Sequence, residues 1–151
     1  MHAHAEQSLN RAAVSATTHC LIGCATGEVV GMALATAFAW GNAVQIVLAI
    51  VLAFVFGYAL TVQPVLRAGV GFRQASGIAF ASDTVSIAIM EAVDNVFVLL
   101  VPGAIDAGLG DAKFWWSIAI GFVIAFGPAW LANRWLIARG KGHAVVHQYH
   151  H

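Results

Sequence analysis

The segment from His19 to Glu28 concentrates the side chains of this chain that can do chemistry. Its pattern, His-Cys-x-x-Gly-Cys-x-x-Gly-Glu, holds both cysteines of the protein, an imidazole and a carboxylate. The segment lies in a stretch apolar enough to cross a membrane, where such side chains are costly and mark candidate functional sites. Thiolates and imidazoles bind soft or borderline ions such as Cu(I) and Zn(II). The pattern predicts a transition-metal site with His19, Cys20 and Cys24 as ligands, and it favours copper over zinc.

The spacing of the two cysteines argues against a disulfide. Residues four apart on a helix hold their Cβ atoms roughly 5 to 6 Å apart, whereas a disulfide requires about 3.5 to 4.5 Å. Cys20 and Cys24 are therefore expected to be free thiols. The alternative to metal binding is that both are small apolar side chains in a packed interior, which is the usual role of buried free cysteines.

The unusual residues of this segment share one half of the helix surface. At about 100° per residue, Gly23, Gly27 and Gly31 form a ridge that lies beside the two cysteines and Glu28. Glycines at this spacing let another membrane helix approach closely. We expect the neighbour across this groove to be the third apolar segment of the chain.

That third segment contains a stripe of acids. Asp83, Met90, Glu91 and Asp94 fall within about a third of the circumference of a helix. Parallel alignment of the two segments predicts that the cysteines lie level with Asp83, and Glu28 with Glu91. Buried carboxylates must be neutral, paired with a cation or hydrated. The candidate metal ligands or proton carriers are therefore the acids Glu28, Asp83, Glu91 and Asp94, and Met90 is a further candidate metal ligand. The alternative is a set of neutral acids that fix helix packing through hydrogen bonds.

Histidines recur at the C-terminal end of the chain. His143, His147 and His150 have the i, i+4, i+7 spacing of one helix face, and imidazoles so placed can bind a metal ion. A tail that collects metal at the mouth of a pore is one interpretation. The other is a solvated tail without a role in binding.

Composition places the chain among polytopic membrane proteins. Hydrophobic residues make up 60% of it and charged residues only 9%, and the mean hydropathy is +0.82. Apolar runs predict four spans near the ~20 residues that a bilayer requires, at 14–38, 43–62, 77–101 and 114–137. Such spans must be helical because the hydrocarbon offers no partner to the backbone. The predicted fold is all-α, a transmembrane bundle of four helices.

The basic residues predict the orientation. With the N-terminus inside, every Lys and Arg except Lys113 lies on the cytoplasmic side or at its boundary, as the positive-inside rule requires. Both termini are therefore expected in the cytoplasm. The domain prediction is an N-terminal tail at 1–13, a membrane domain at 14–137 and a His-rich tail at 138–151.

Three motifs resemble those of a known family. They are His-Cys-x-x-Gly-Cys-x-x-Gly-Glu from His19, Asp-Thr-x-Ser-Ile-x-x-x-Glu from Asp83, and Pro-x-x-x-x-Asn-x-Trp-Leu from Pro128. Together they resemble a family of small bacterial integral-membrane proteins described only as a domain of unknown function. The resemblance supports the helix bundle and implies no particular activity. The positions that it marks for testing first are His19, Cys20, Cys24, Glu28, Asp83 and Glu91. The predicted location is the bacterial inner membrane.

These patterns favour metal transport or homeostasis over two alternatives. The predicted ligands would capture an ion, the acids would pass it on or exchange it for protons, and a cytosolic metal carrier could exchange with the tail. Four helices leave little room for a pathway, so a homo-oligomer in the lipid bilayer is expected. An intramembrane metal or redox enzyme, or an accessory subunit, are the alternatives. No nucleophile motif is present, and zero net charge disfavours nucleic-acid binding.

Overall fold

The protein folds into four helices joined by short connections. The computed structural model describes residues 2–139. The helices are α1 (His2–Ala37), α2 (Asn42–Arg67), α3 (Phe72–Leu100) and α4 (Ala112–Ala138), and this part of the chain contains no strand. The all-α, four-helix prediction is confirmed. The predicted tail ligands His143, His147 and His150 lie outside the described residues.

The helices extend beyond the apolar runs that predicted them. The first begins at His2, so residues 2–13, which were expected to be a tail, form its first turns. That segment contains four alanines and neither Gly nor Pro, a composition that favours helix. The second continues through Pro64 to Arg67. Hydropathy therefore located the apolar part of these helices, and the helices continue into more polar residues beyond it.

The four helices form a ring in which each contacts its neighbours in sequence and α4 returns to contact α1. The first and third helices also meet across one diagonal of the ring. This diagonal contact brings the helix that contains the cysteines against the helix that contains the acids. The thiols and carboxyls therefore lie in the interior of the bundle.

The bundle is apolar on the outside and carries small and polar side chains inside. Phe80, Leu100 and Val123 are 65%, 77% and 74% exposed, and many other large apolar residues lie on the same outer surface. A water-soluble protein rarely exposes so extensive an apolar surface, but lipid solvates it. By length and composition α1, α2 and α4 can each cross a membrane, whereas α3 contains the buried acids. The chain is a membrane protein.

Candidate functional site

The glycine ridge of α1 packs on α2. A Cβ atom built on Gly23 would lie 2.8 Å from the Cα of Gly57, and one built on Gly31 would lie 2.8 Å from the Cα of Ala49. Gly27 meets the backbone of Ala53 in the same way. The prediction that the ridge receives the acidic helix is therefore wrong. Adjacent rows on a helix diverge by about 100°, so the ridge and the cysteine row face different neighbours.

The cysteine row of α1 faces α3. Cys20 is 1% exposed and its thiol lies beside the hydroxyl of Ser86 and near the carboxyl of Asp83. Cys24 is completely buried and its thiol lies against the carboxyl of Glu91. Both cysteines are free, as their spacing predicts. The thiols of α1 and the acids of α3 thus meet inside the bundle.

Three acids form a second level of the interior. Glu28 of α1 lies close enough to Glu91 and Asp94 of α3 for charges on these groups to repel one another. Glu91 and Asp94 are 3% and 1% exposed. Glu91 accepts a hydrogen bond from the amide of Asn95 at 3.3 Å. The alignment of Glu28 with Glu91 agrees with the levels predicted from the sequence.

His19 has a polar partner on α2. Its Nε2 atom lies 3.2 Å from Oγ1 of Thr61 on α2, since His19 belongs to the same helix row as the glycines. Met90 is fully buried in the apolar cluster that contains both cysteines. Among residues 2–139, no three His, Cys, Asp or Glu side chains are grouped as a metal site. The thiols and acids therefore meet without forming a ready-made site of three or more such ligands.

A hydrogen-bonded network holds three helices around the thiols. The buried amide of Asn133 on α4 donates to Oγ1 of Thr17 on α1 and to Oγ of Ser86 on α3, each at 3.0 Å. Because Ser86 also lies beside Cys20, the network positions the first level of the site. Asn133 belongs to one of the three motifs, but no role was predicted for it. An amide side chain in an apolar membrane helix itself indicates hydrogen bonding between helices.

Ser117 of α4 is not among the site residues that the sequence predicts. It is 1% exposed and lies with Glu28 and Asp94 around a small cavity. A single serine in an apolar helix is a weak signal, because serine commonly bonds to the carbonyl one turn back. The structure, in contrast, gives its hydroxyl no hydrogen-bond partner among the described residues.

The interior therefore combines two chemistries. At the level of the cysteines it offers soft sulfur donors next to carboxylates. Around Glu28 most of the polar atoms are oxygens, and the thioether of Met32 is the one sulfur among the residues that line the cavity there. Soft donors select ions such as Cu(I), and oxygen donors select hard cations. A pathway along the bundle would pass from one set of donors to the other.

The chain matches no curated protein and no solved structure. A family model described as a domain of unknown function, DUF4396, matches residues 9–142. The match includes α2, α3, α4 and most of α1, together with the three motifs that contain the thiols, the acids and Asn133. The chain therefore belongs to the DUF4396 family.

Proposed function

We propose that the protein binds a soft transition-metal ion inside the membrane and serves in its transport or homeostasis. The observation that supports this proposal is the position of the Cys20 and Cys24 thiols, which are buried in the bundle and face the carboxyls of Asp83 and Glu91. The two carboxyls beside the thiols are costly to bury in a membrane interior and mark a candidate functional site.

The pairing of the thiols favours copper over zinc. Structural Zn(II) takes four ligands in a tetrahedron, and no group of three His, Cys, Asp or Glu residues is assembled within residues 2–139. Cu(I) is soft and is satisfied by as few as two thiolates. The two cysteines, one helical turn apart, supply such a pair.

The acids provide the next step for the ion. Glu91 contacts the thiol of Cys24 on one side and lies near Glu28 on the other. An ion released from the thiols would meet these carboxylates, or would be exchanged for protons there. A homo-oligomer in the bacterial inner membrane, supplied by a cytosolic metal carrier, would complete the pathway that a single bundle has little room to contain.

Metal content tests the binding step. The untagged protein, purified and loaded with Cu(I), is expected to retain the ion, and Cys20→Ser/Cys24→Ser to lose it. Thr26→Ala is the control on the same helix, because its hydroxyl is exposed and bonds to the carbonyl of Ile22, so the metal content is expected to stay unchanged. Elemental analysis measures all three proteins. Equal metal in the wild type and the double cysteine variant would refute the site.

Flux tests the transport step. Proteoliposomes that contain a metal-sensing dye are expected to show ion movement with the wild type and none with Glu91→Gln. Bound metal should persist in Glu91→Gln, because its thiols are intact. Metal binding by the wild type without any flux would instead favour an intramembrane enzyme or an accessory subunit.

A further inference from the structure

A small cavity lies at the end of the bundle where the α1–α2 turn meets the loop between α3 and α4. Its volume is about 20 Å³, enough for one water-sized occupant. Five of the lining residues carry side-chain oxygens, and they come from all four helices: Glu28, Gln45, Asp94, Asn95 and Ser117. The cysteines do not line it, so this is a different environment from the thiol site.

Two almost completely buried side chains of the cavity each have an oxygen atom without a hydrogen-bond partner in the part of the chain that the structure describes. Oδ1 of Asp94 and Oγ of Ser117 have no hydrogen-bond partner among the described residues, and both residues are 1% exposed. Oε1 of Glu28 is in the same situation. Buried oxygens without partners cost free energy. The three residues that carry these oxygens line one cavity, which indicates a site that binds a ligand.

The charge of this region points to a cation. Glu28, Glu91 and Asp94 lie close together, and no Lys or Arg is among the buried residues of the described chain. Lys113, in the first turn of α4, directs its Nζ atom to the carbonyl of Pro102 at 3.1 Å in an exposed position. A bound positive ion would supply the charge that no basic side chain supplies.

We propose that this cavity binds a single hard cation, stripped of most of its water, through the carboxylates of Glu28 and Asp94 and the hydroxyl of Ser117. The three proposed donor groups bind through oxygen, which favours hard ions over Cu(I) or Zn(II). The sulfur of Met32, which also lines the cavity, accepts a hydrogen bond from the hydroxyl of Thr36. The small volume excludes Mg²⁺, which usually keeps several waters. Na⁺ and Ca²⁺ have nearly the same ionic radius and share the required chemistry.

A glycine of α4 makes the site possible. A Cβ atom built on Gly121 would overlap Oδ1 of Asp94, so the missing side chain leaves room for the carboxylate. Ser117 lies one helical turn before Gly121 and therefore on the same face of α4. Gly121 thus leaves room for the carboxylate of Asp94, and Ser117 supplies a hydroxyl on the same face of α4.

Equilibrium binding of radioactive Na⁺ or Ca²⁺ to the purified full-length protein tests the site, with choline chloride holding ionic strength constant and no transition metal present. The wild type is expected to bind one of the two ions saturably, at about one per chain. Ser117→Ala should bind it about tenfold more weakly, which corresponds to roughly 1.4 kcal/mol. Asp94→Asn, which keeps the shape of the side chain, should abolish binding.

Two controls separate this site from others. Ser82→Ala removes another buried serine, one that lies outside the cavity, and should bind the cation as the wild type does. Cys20→Ser/Cys24→Ser should also bind the cation normally, so the result of this test does not depend on the proposed metal transport. Absence of saturable Na⁺ and Ca²⁺ binding in the folded wild type would overturn the proposal, as would unchanged affinity in both Ser117→Ala and Asp94→Asn.

Discussion

At the scale of single residues, neighbours on one helix have separate roles. His19 and the following glycines form one row that faces α2, and Cys20, Cys24 and Glu28 form the next row, which faces α3. The sequence placed all of them on one half of the helix. The sequence could not show which neighbouring helix each row contacts. A difference of about 100° in direction identifies the contacted helix only when the positions of the other helices are known.

The amide of Asn133 provides a prediction at this scale. Asn133→Ala removes the donor shared by Thr17 and Ser86, so it should lower the free energy of unfolding by about 1 to 3 kcal/mol. Thr26→Ala is the control, because its hydroxyl is exposed and bonds only to the carbonyl of Ile22 in its own helix. Denaturant titration followed by circular dichroism measures both. Equal stability of the two variants would contradict a structural role for the network.

At the scale of helices, close approach is achieved by small residues. The backbones of α1 and α2 touch at Gly23, Gly27 and Gly31, opposite Gly57, Ala53 and Ala49. Without a hydrophobic driving force between helices in lipid, this kind of packing and interhelical hydrogen bonds stabilise association. The spacing of the glycines correctly predicted a surface for helix contact, but the predicted partner helix, α3, was wrong. Any helix with small residues could fill such a groove, and α2 presents them at matching intervals.

Gly27→Ala tests the α1–α2 contact. The new methyl group would overlap the backbone of Ala53, so the helices must separate, and a stability loss of about 1 to 3 kcal/mol is expected. The same change at Gly77, where a Cβ atom meets nothing within 4 Å, should be neutral or stabilise by up to about 1 kcal/mol. Thermal unfolding in detergent compares the pair. Equal effects at the two glycines would show that the close contact does not limit stability.

At the scale of the whole molecule, the two ends of the bundle differ in charge. Arg134 of α4 bonds to Glu6 and Asn10 of α1, so the start of α1 and the end of α4 lie at the same end. Arg67 and Arg73 flank the α2–α3 turn, which lies at that end as well. The opposite end has Lys113 as its one Lys or Arg among the described residues. This asymmetry is the one that the positive-inside rule uses.

A reporter fused to the C-terminus tests the predicted orientation. A fusion that is active only in the cytoplasm is expected to work, and one that is active only in the periplasm to be silent, because the basic end should remain inside. A reporter inserted in the loop between α3 and α4 should give the reverse result. Periplasmic activity of the C-terminal fusion would contradict the prediction that both termini are cytoplasmic.

Local sequence patterns were enough to predict the number of helices, their approximate limits, their apolar character and the free state of the cysteines. Each of these follows from local properties: hydropathy over one span, or the geometry of residues one turn apart on one helix. The family motifs also marked most of the residues that meet inside the bundle.

The rows that face each other are set by the packing of all four helices. The fold places His19 beside Thr61 and the glycine ridge on α2, and it brings Ser117 to Glu28 and Asp94. These contacts join helices far apart in the chain, and several packing arrangements of four helices satisfy the same local pattern. The cavity is defined by all four helices at once, so no single segment of sequence could have revealed it.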